Sequence, residues 1–492
     1  MTLFEQRGDE SMLFKPKKRA SGGGLSPGNA ERFLREEFNS EKNPDLILRR
    51  IVSADGVGAL LAFVNGMADE RKLDEFVIRP LERGTIRGSA PEEMITRITQ
   101  IAEARLVTDI GKAARLIAEG MSALFTEGAK ACVVFETRGF EKRAVGEAVN
   151  ESVVLGPKES FTESLRTNIT LLRRVMKNPA LTAEMLEING AEPTPAALVY
   201  INGRTKGSLL EEIRGRVASV DTDTLITSGI VEQLIEDASL LPLPRILSTE
   251  RPDRAASHIL GGSAVLIVDG SPFALVMPVT LFSLMDSPED VYLRPPLGSV
   301  LRVVRYIGAL VCVLMPGYFL ALALYHQGML TTEVLSTVIA SRQMVFEPIA
   351  AEMIILLLIF QLIREAGLRI PGPIGQAIGI IGGLIMGQAA VAAHLASTVV
   401  LIIVAASGLG NFCIPDYSAQ LAASYFRMAA VIAACLAGLL GVTAALVFAV
   451  SVLADTESFG KPYLAPLSPR RSRRRPFIIR GRIGGASYEK GA

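Results

Sequence analysis

The apolar positions of this chain change rhythm near residue 300. Before that point they come in short clusters cut by turns. Residues 59–64 form an apolar run ending in Asn65-Gly66, residues 197–201 one ending in Asn202-Gly203, and residues 264–268 one ending in Asp269-Gly270. Each reads as a strand followed by a turn, because Asn, Asp and Gly accept the positive φ of tight turns. After Asp269-Gly270 the apolar pattern resumes at 273–276, which predicts a hairpin. The first two units lie 137 positions apart, and helical patterns follow them at 71–79 and 208–217. This repetition predicts two related α/β subdomains, with residues 130–135 adding a strand to the first. Residues 161–175 are amphipathic: Leu165, Ile169, Leu172 and Val175 share a stripe that leaves out Arg166, Arg173 and Arg174. A helix packed on a sheet explains that pattern, with its arginines solvated. The functional reading makes the same three arginines candidate subunit or anion contacts.

Beyond Tyr306 the clusters lengthen. Residues 307–324, 374–393, 397–414 and 428–454 carry no charge, and residues 349–363 are apolar apart from Glu352 and Gln361. A spanning helix needs about 20 mostly apolar residues. Five such runs predict a polytopic all-α transmembrane domain of four to six spans, and buried helices of a soluble protein account for them poorly. Glycine-rich stretches at 378–383 and 438–441 suit close helix packing.

Whole-chain averages hide this division. Of 492 residues 49% are apolar and 21% charged, with net charge +1 and mean hydropathy +0.36. Residues 1–299 hold 36 basic and 42 acidic side chains, residues 300–467 hold 7 of each, and residues 468–492 hold 8 basic and 1 acidic. That distribution excludes a fully soluble enzyme, a disordered chain and a globally basic nucleic-acid binder. The N-terminus lacks the apolar core of a signal peptide, so the first 300 residues are expected in the cytosol. Positive charge marks the cytosolic side of a membrane protein. Arg294, Arg302 and Arg305 precede the first run, Arg364 and Arg369 follow the second, and five arginines between 470 and 475 mark the tail. Both ends inside require an even number of crossings. Either one of the five runs does not span, or the weaker segment 330–339 joins them to make six. The expected division is a flexible polar leader (1–42), two cytosolic α/β subdomains (43–155 and 156–299), the transmembrane domain (300–467) and a basic cytosolic tail (468–492).

No catalytic constellation is visible. Cys132, Cys312, Cys413 and Cys435 lie far apart, and His258, His326 and His394 have no metal-ligand spacing. There is no phosphate loop, dinucleotide fingerprint or nucleophile elbow. Enzyme activity, a cofactor and a metal site are therefore not expected. The polar residues inside the apolar region say more, since a charge at mid-bilayer costs at least ~2.5 kcal/mol and should face protein or water. Glu347, Glu352, Gln376, Gln388, Asn411 and Asp416 are the candidate pore or gating residues. Glu352 stands out because 353–360 beyond it is wholly apolar. The competing reading is hydrogen bonding between helices without ion flow.

A series of motifs runs through the chain in order: GPKESFTESLRTN at 156–168, LLRR at 171–174, TERPDR at 249–254, VDGSPF at 268–273, SPED at 287–290, REAGLRIPGPIGQ at 364–376, GQAA at 387–390, PDYS at 415–418 and FGKPYLAP at 459–466. Together they resemble the A subunit of GerA-type spore germinant receptors over residues 43–469. The leader and the arginine-rich tail are not part of that signature. The resemblance implies a non-enzymatic homo-oligomer in the spore inner membrane, working with a permease-like B subunit that binds the nutrient and a lipoprotein C subunit. It implies ion release through the membrane part on triggering. The family also holds a sporulation-locus paralogue that amplifies ion release, and a non-conducting receptor scaffold is the further alternative. Membrane lipids are implied partners, and nucleic acid is not.

Overall fold

The computed structural model describes residues 25–85, 93, 95, 99, 101, 103–139, 146, 148, 151, 153–237, 242–369, 383, 385 and 387–468. The first part of the chain forms α1 (Pro27–Glu37), β1 (Leu46–Val52), β2 (Gly58–Val64), then α2 (Glu70–Leu73), which runs through a π turn (Asp74–Ile78) into α3 (Arg79–Arg83). It continues with β3 (Ala104–Val107), α4 (Ile110–Ala118), β4 (Ser122–Thr126) and β5 (Cys132–Phe135). The strands pair antiparallel in the order β1-β2-β4-β5-β3. The second part repeats the plan with α5 (Leu165–Val175), β6 (Leu181–Ile188), β7 (Thr194–Ile201), α6 (Gly207–Ala218), α7 (Ser228–Ile235), β8 (Leu247–Thr249), α8 (Pro252–Leu260), β9 (Ala264–Val268) and β10 (Ala274–Met277). Its order, β6-β7-β9-β10-β8, is the same one shifted by five strands. The repeated Asn-Gly turns thus leave equivalent strands, β2 and β7, and lead into helices on two like sheets, and Gly66 and Gly203 both take φ +77.

Each sheet is covered on both faces. In β2, Leu60, Ala62 and Val64 pack with Leu34, Phe38 and Ile117, while Leu61 and Phe63 point to the other side against Leu73, Val77 and Leu81. Successive side chains of a strand alternate in direction. With apolar cover on either side, alternation is lost and the strand reads as one unbroken apolar run.

The polar leader expected over 1–42 is corrected by α1. Ala30, Leu34 and Phe38 are fully buried against the first sheet, and Leu25 belongs to the same core. With Phe33 packed beside them, these apolar positions at helical spacing suffice to dock a helix whose other face is charged. Residues 1–24 lie outside the described residues.

The helical part contains α9 (Leu281–Met285), α10 (Glu289–Tyr292), α11 (Pro295–Tyr325), α12 (Thr332–Arg342), α13 (Ile349–Arg369), α14 (Thr398–Phe412) and α15 (Tyr417–Asp455). Among the described residues, α11 and α15 are long and apolar enough to cross a membrane, with mean hydropathy 2.3 and 2.5. The polytopic domain expected from five apolar runs has only these two qualifying helices. Glu352, Arg364, Glu365 and Arg369 dilute α13, α14 is 15 residues long, and much of 374–393 lies outside the described residues.

α15 is two legs. Ala437 and Gly438 leave helical geometry, Gly438 at φ +58. Ala419, near its start, and Leu453, near its end, both pack on the core of the second sheet. A straight helix would hold them about 51 Å apart at 1.5 Å per residue. The helix therefore reverses at Ala437–Gly438 and returns to the side it left. Past it, β11 (Glu457–Ser458) and β12 (Lys461–Pro462) form a small hairpin that belongs to the sheet region rather than to a membrane domain ending at 467. Tyr463 is buried in the core of the second sheet, donates from its hydroxyl to the Pro244 carbonyl (2.8 Å), and offers its carbonyl to Leu281 N–H (3.0 Å). The described chain stops at Ser468, so the basic tail lies outside it.

Candidate functional site

Charged side chains gather at three levels. The lowest joins the second sheet to the helices. Thr249, Arg251 and Arg254 converge on Glu151: Arg254 Nη1 donates to its Oε1 (2.5 Å), Thr249 Oγ1 to its Oε2 (2.5 Å), and Arg251 Nη1 to its carbonyl (3.2 Å). Arg251 also grips Asp253 with two nitrogens (3.0 and 2.8 Å) and is fully buried. The TERPDR segment is thus an electrostatic knot rather than a surface motif. Next to it, Asp290 of α10 is completely buried and receives Arg302 Nε and Arg305 Nη1 and Nη2, each at 3.0 Å, from the first turns of α11. Burial pushes the Asp290 carboxyl up. The hydrogen bonds and charges of Arg305 and Arg302 outweigh that and hold it below the usual carboxylate range. The arginines expected to precede the first span are therefore spent on a carboxylate of the short helix α10.

The second level is the far end of the bundle. Glu352 of α13 is buried, and its Oε1 accepts from both the N–H (2.5 Å) and the hydroxyl (2.7 Å) of Ser397, the N-cap of α14. A carboxylate there faces the positive end of the helix dipole. Arg342 lies 3.4 Å from its other oxygen and donates to the Glu347 carbonyl (2.7 Å).

The third level lies between these two. Asn411, fully buried, accepts from Arg364 Nη1 (2.6 Å) and donates to the Gln420 carbonyl (3.1 Å). Arg427 Nη1 donates to Ser407 Oγ (3.2 Å), which donates to the Cys312 carbonyl of α11 (2.9 Å). Helices α13 and α14 run parallel, since Glu352 meets Ser397 and Arg364 meets Asn411; α11 runs against them, with Gly308 beside Gly410.

The residues singled out from the sequence fall into separate places. Glu352 and Asn411 are buried and bonded between helices, Asp416 caps α15 by accepting from Ala419 N–H (2.8 Å), Glu347 and Gln388 are exposed, and Gln376 lies outside the described residues. Of the three arginines on α5, Arg173 is buried and reaches Asp45 (2.8 and 3.1 Å), Asn43 (3.0 Å) and the Leu181 carbonyl (3.3 Å), tying the two sheets together within one chain. Arg174 pairs with Glu159 (3.1 Å), and Arg166 lines a polar cleft of about 530 Å³ with Asn65, Asp69 and Thr170. Arg427 was not among the residues expected to matter. It is the one charge between Asp416 and Asp455, and a window chosen to be charge-free starts one residue after it.

Two like sheets are joined through a charged knot to a helical bundle in which two helices are long and apolar enough to cross a membrane. The family model described as Bacillus/Clostridium GerA spore germination protein matches residues 32–487, and the chain belongs to that family. Spore germination protein A1 of Bacillus subtilis is 33% identical, with 87% of this chain and 88% of that protein covered. Spore germination protein B1 of the same organism is 34% identical over 83% and 85%, and GerLA of Bacillus cereus 31% over 89% of each. A crystal structure of the N-terminal domain of the A subunit of the Bacillus megaterium spore germinant receptor GerK3 covers 52% of this chain and 97% of that one, at 24% identity and TM-score 0.41.

Proposed function

We propose that this chain is the A subunit of a nutrient-gated germinant receptor. In this reading several copies assemble in the spore inner membrane, with both sheets and the C-terminal hairpin on the cytosolic side. A permease-like B subunit and a lipoprotein C subunit complete the complex and sense the germinant. The helices then form an oligomeric channel that releases ions.

The observation that carries the assembly is α12. Of its 11 residues only Val338 is buried, and its surface mixes Glu333, Ser336 and Thr337 with Val334 and Ile339. A mixed polar and apolar helix is a poor lipid neighbour, and suits a wall shared with other copies and water. The return of α15 to its starting side supports an even number of crossings, and α13 ends and α14 begins at opposite ends of the bundle. The test is planar-bilayer recording from the complete chain with its partner subunits. Germinant-dependent current that Glu333→Gln or Thr337→Val alters is expected, and a silent, fully assembled complex refutes conduction.

A second reading, a non-conducting scaffold, is favoured by Glu352 and Asn411. Both are spent on contacts between helices of one chain. It expects Glu352→Gln to lower assembly or stability while leaving any measured conductance per complex unchanged.

A further inference from the structure

Arg364 on α13 and Arg427 on the first leg of α15 are 9% and 2% exposed. Their hydrogen-bond partners, Asn411 and Ser407, stand one helical turn apart on α14, which brings the two guanidiniums to the same level of the bundle. Each uses Nη1 for one neutral partner, Asn411 or Ser407. Arg364 Nε and Nη2 and Arg427 Nε are buried without a hydrogen-bond partner, as is Gln361 Oε1, one turn before Arg364. Among the described residues no carboxylate pairs with either arginine; the ion pair inside the bundle is Arg342 with Glu352, at the other end. The remaining stretch of the helical region, 370–386, contains no Asp or Glu.

A guanidinium does not shed its proton in a protein. Two of them in a water-poor bundle are strongly unfavourable unless an anion compensates them. The vacant donors have the shape for it. Nε and Nη2 of Arg364 form the edge of the guanidinium that grips two oxygens of one oxyanion in parallel. Arg427 Nε adds a donor, and Gln361 Oε1 would accept from a bound water or an acidic hydroxyl. The position also fits, since Arg427 is ten residues into α15, about 15 Å from the end held on the sheet.

We propose that Arg364 and Arg427, with Gln361, form a binding site for a phosphate-type oxyanion between α13, α14 and α15. The group can come from an anionic lipid headgroup or from free phosphate. The site stands apart from conduction and does not depend on it.

The full chain in phosphatidylcholine nanodiscs provides the test, melted by circular dichroism because the chain has no Trp. Inorganic phosphate is titrated against gluconate at matched ionic strength, and a parallel set of nanodiscs contains phosphatidylglycerol. A saturable rise in melting temperature with phosphate assigns a free anion, and a rise only with phosphatidylglycerol assigns a lipid headgroup. In either case Arg364→Gln and Arg427→Gln are expected to abolish the rise. Should the Gln variants fail to fold, Arg364→Lys keeps the charge, loses the fork and is expected to raise the half-saturating concentration severalfold. No rise with either probe in the unsubstituted chain overturns the proposal, and so does a rise that persists in the variants. Stabilisation seen only on self-association also overturns it, by placing a second copy's carboxylate on the arginines.

Discussion

Asp290 holds two guanidiniums that belong to the start of α11. Breaking a buried pair by neutralising one member leaves the other charge uncompensated, at about 3–5 kcal/mol. Arg302 and Arg305 keep 15% and 12% of their side chains exposed, so Asp290→Asn is expected at the lower end of that range in thermal or denaturant melts at pH 7. The pH dependence has a definite sign. A carboxyl whose folded pKa is depressed gives stability that is complete above its unfolded value of about 4 and is lost as pH falls through the folded value. The wild-type and Asp290→Asn melting curves should therefore converge on acidification; a gap that stays constant below that pH contradicts the assignment. Arg173→Ala should likewise destabilise the full chain, by about 3 kcal/mol, because Asp45 loses its buried partner. Residues of this kind are hard to read from sequence. The arginines of 166–174 and 302–305 were visible as charges, but not which carboxylate each one meets: Arg302 and Arg305 find Asp290 on the preceding short helix, whereas Arg173 finds Asp45 128 positions away.

At the level of elements, legibility followed backbone chemistry. The hairpin at Asp269-Gly270 was readable because Gly270 takes φ +78, a conformation few other residues accept. The strands β6 and β8 carried no such mark, and α1 was hidden by the charges on its outer face. The uncharged run 428–454 read as one span, and its glycines as packing sites; Gly438 is instead the turn. Gly438→Ala is expected to cost about 1–3 kcal/mol for the positive-φ backbone alone, and its new methyl would meet the Tyr325 ring at 3.0 Å. Gly215 provides the contrast: it lies inside α6 with nothing within 4 Å of an added Cβ, so Gly215→Ala should stabilise by about 0.5–1 kcal/mol. Thermal melts of the two variants moving in the same direction would refute the reading of Gly438 as a turn.

For the whole molecule, the main prediction concerns sides. Ala419, Leu453 and Tyr463 share one core, so a protease site placed after Leu467 and one placed in the 153–157 loop should be cut from the same face of sealed vesicles. Cleavage from opposite faces would contradict the fold. The parity question raised by the basic tail could not be settled from apolar runs, because a count of runs does not register a reversal inside one of them. That reversal has a mechanical consequence. A helical hairpin with both feet clamped to one sheet cannot swivel about either foot, so it follows the sheet as a rigid lever. With a first leg of about 30 Å, a turn of roughly 5° at the sheet would carry the Ala437–Gly438 tip by about 2.6 Å. Strain applied at the soluble base would thus arrive at the opposite end as sideways displacement, and Tyr325, whose hydroxyl is bonded to the Cys435 carbonyl at that tip (2.7 Å), would be the first side chain of α11 to be dragged with it.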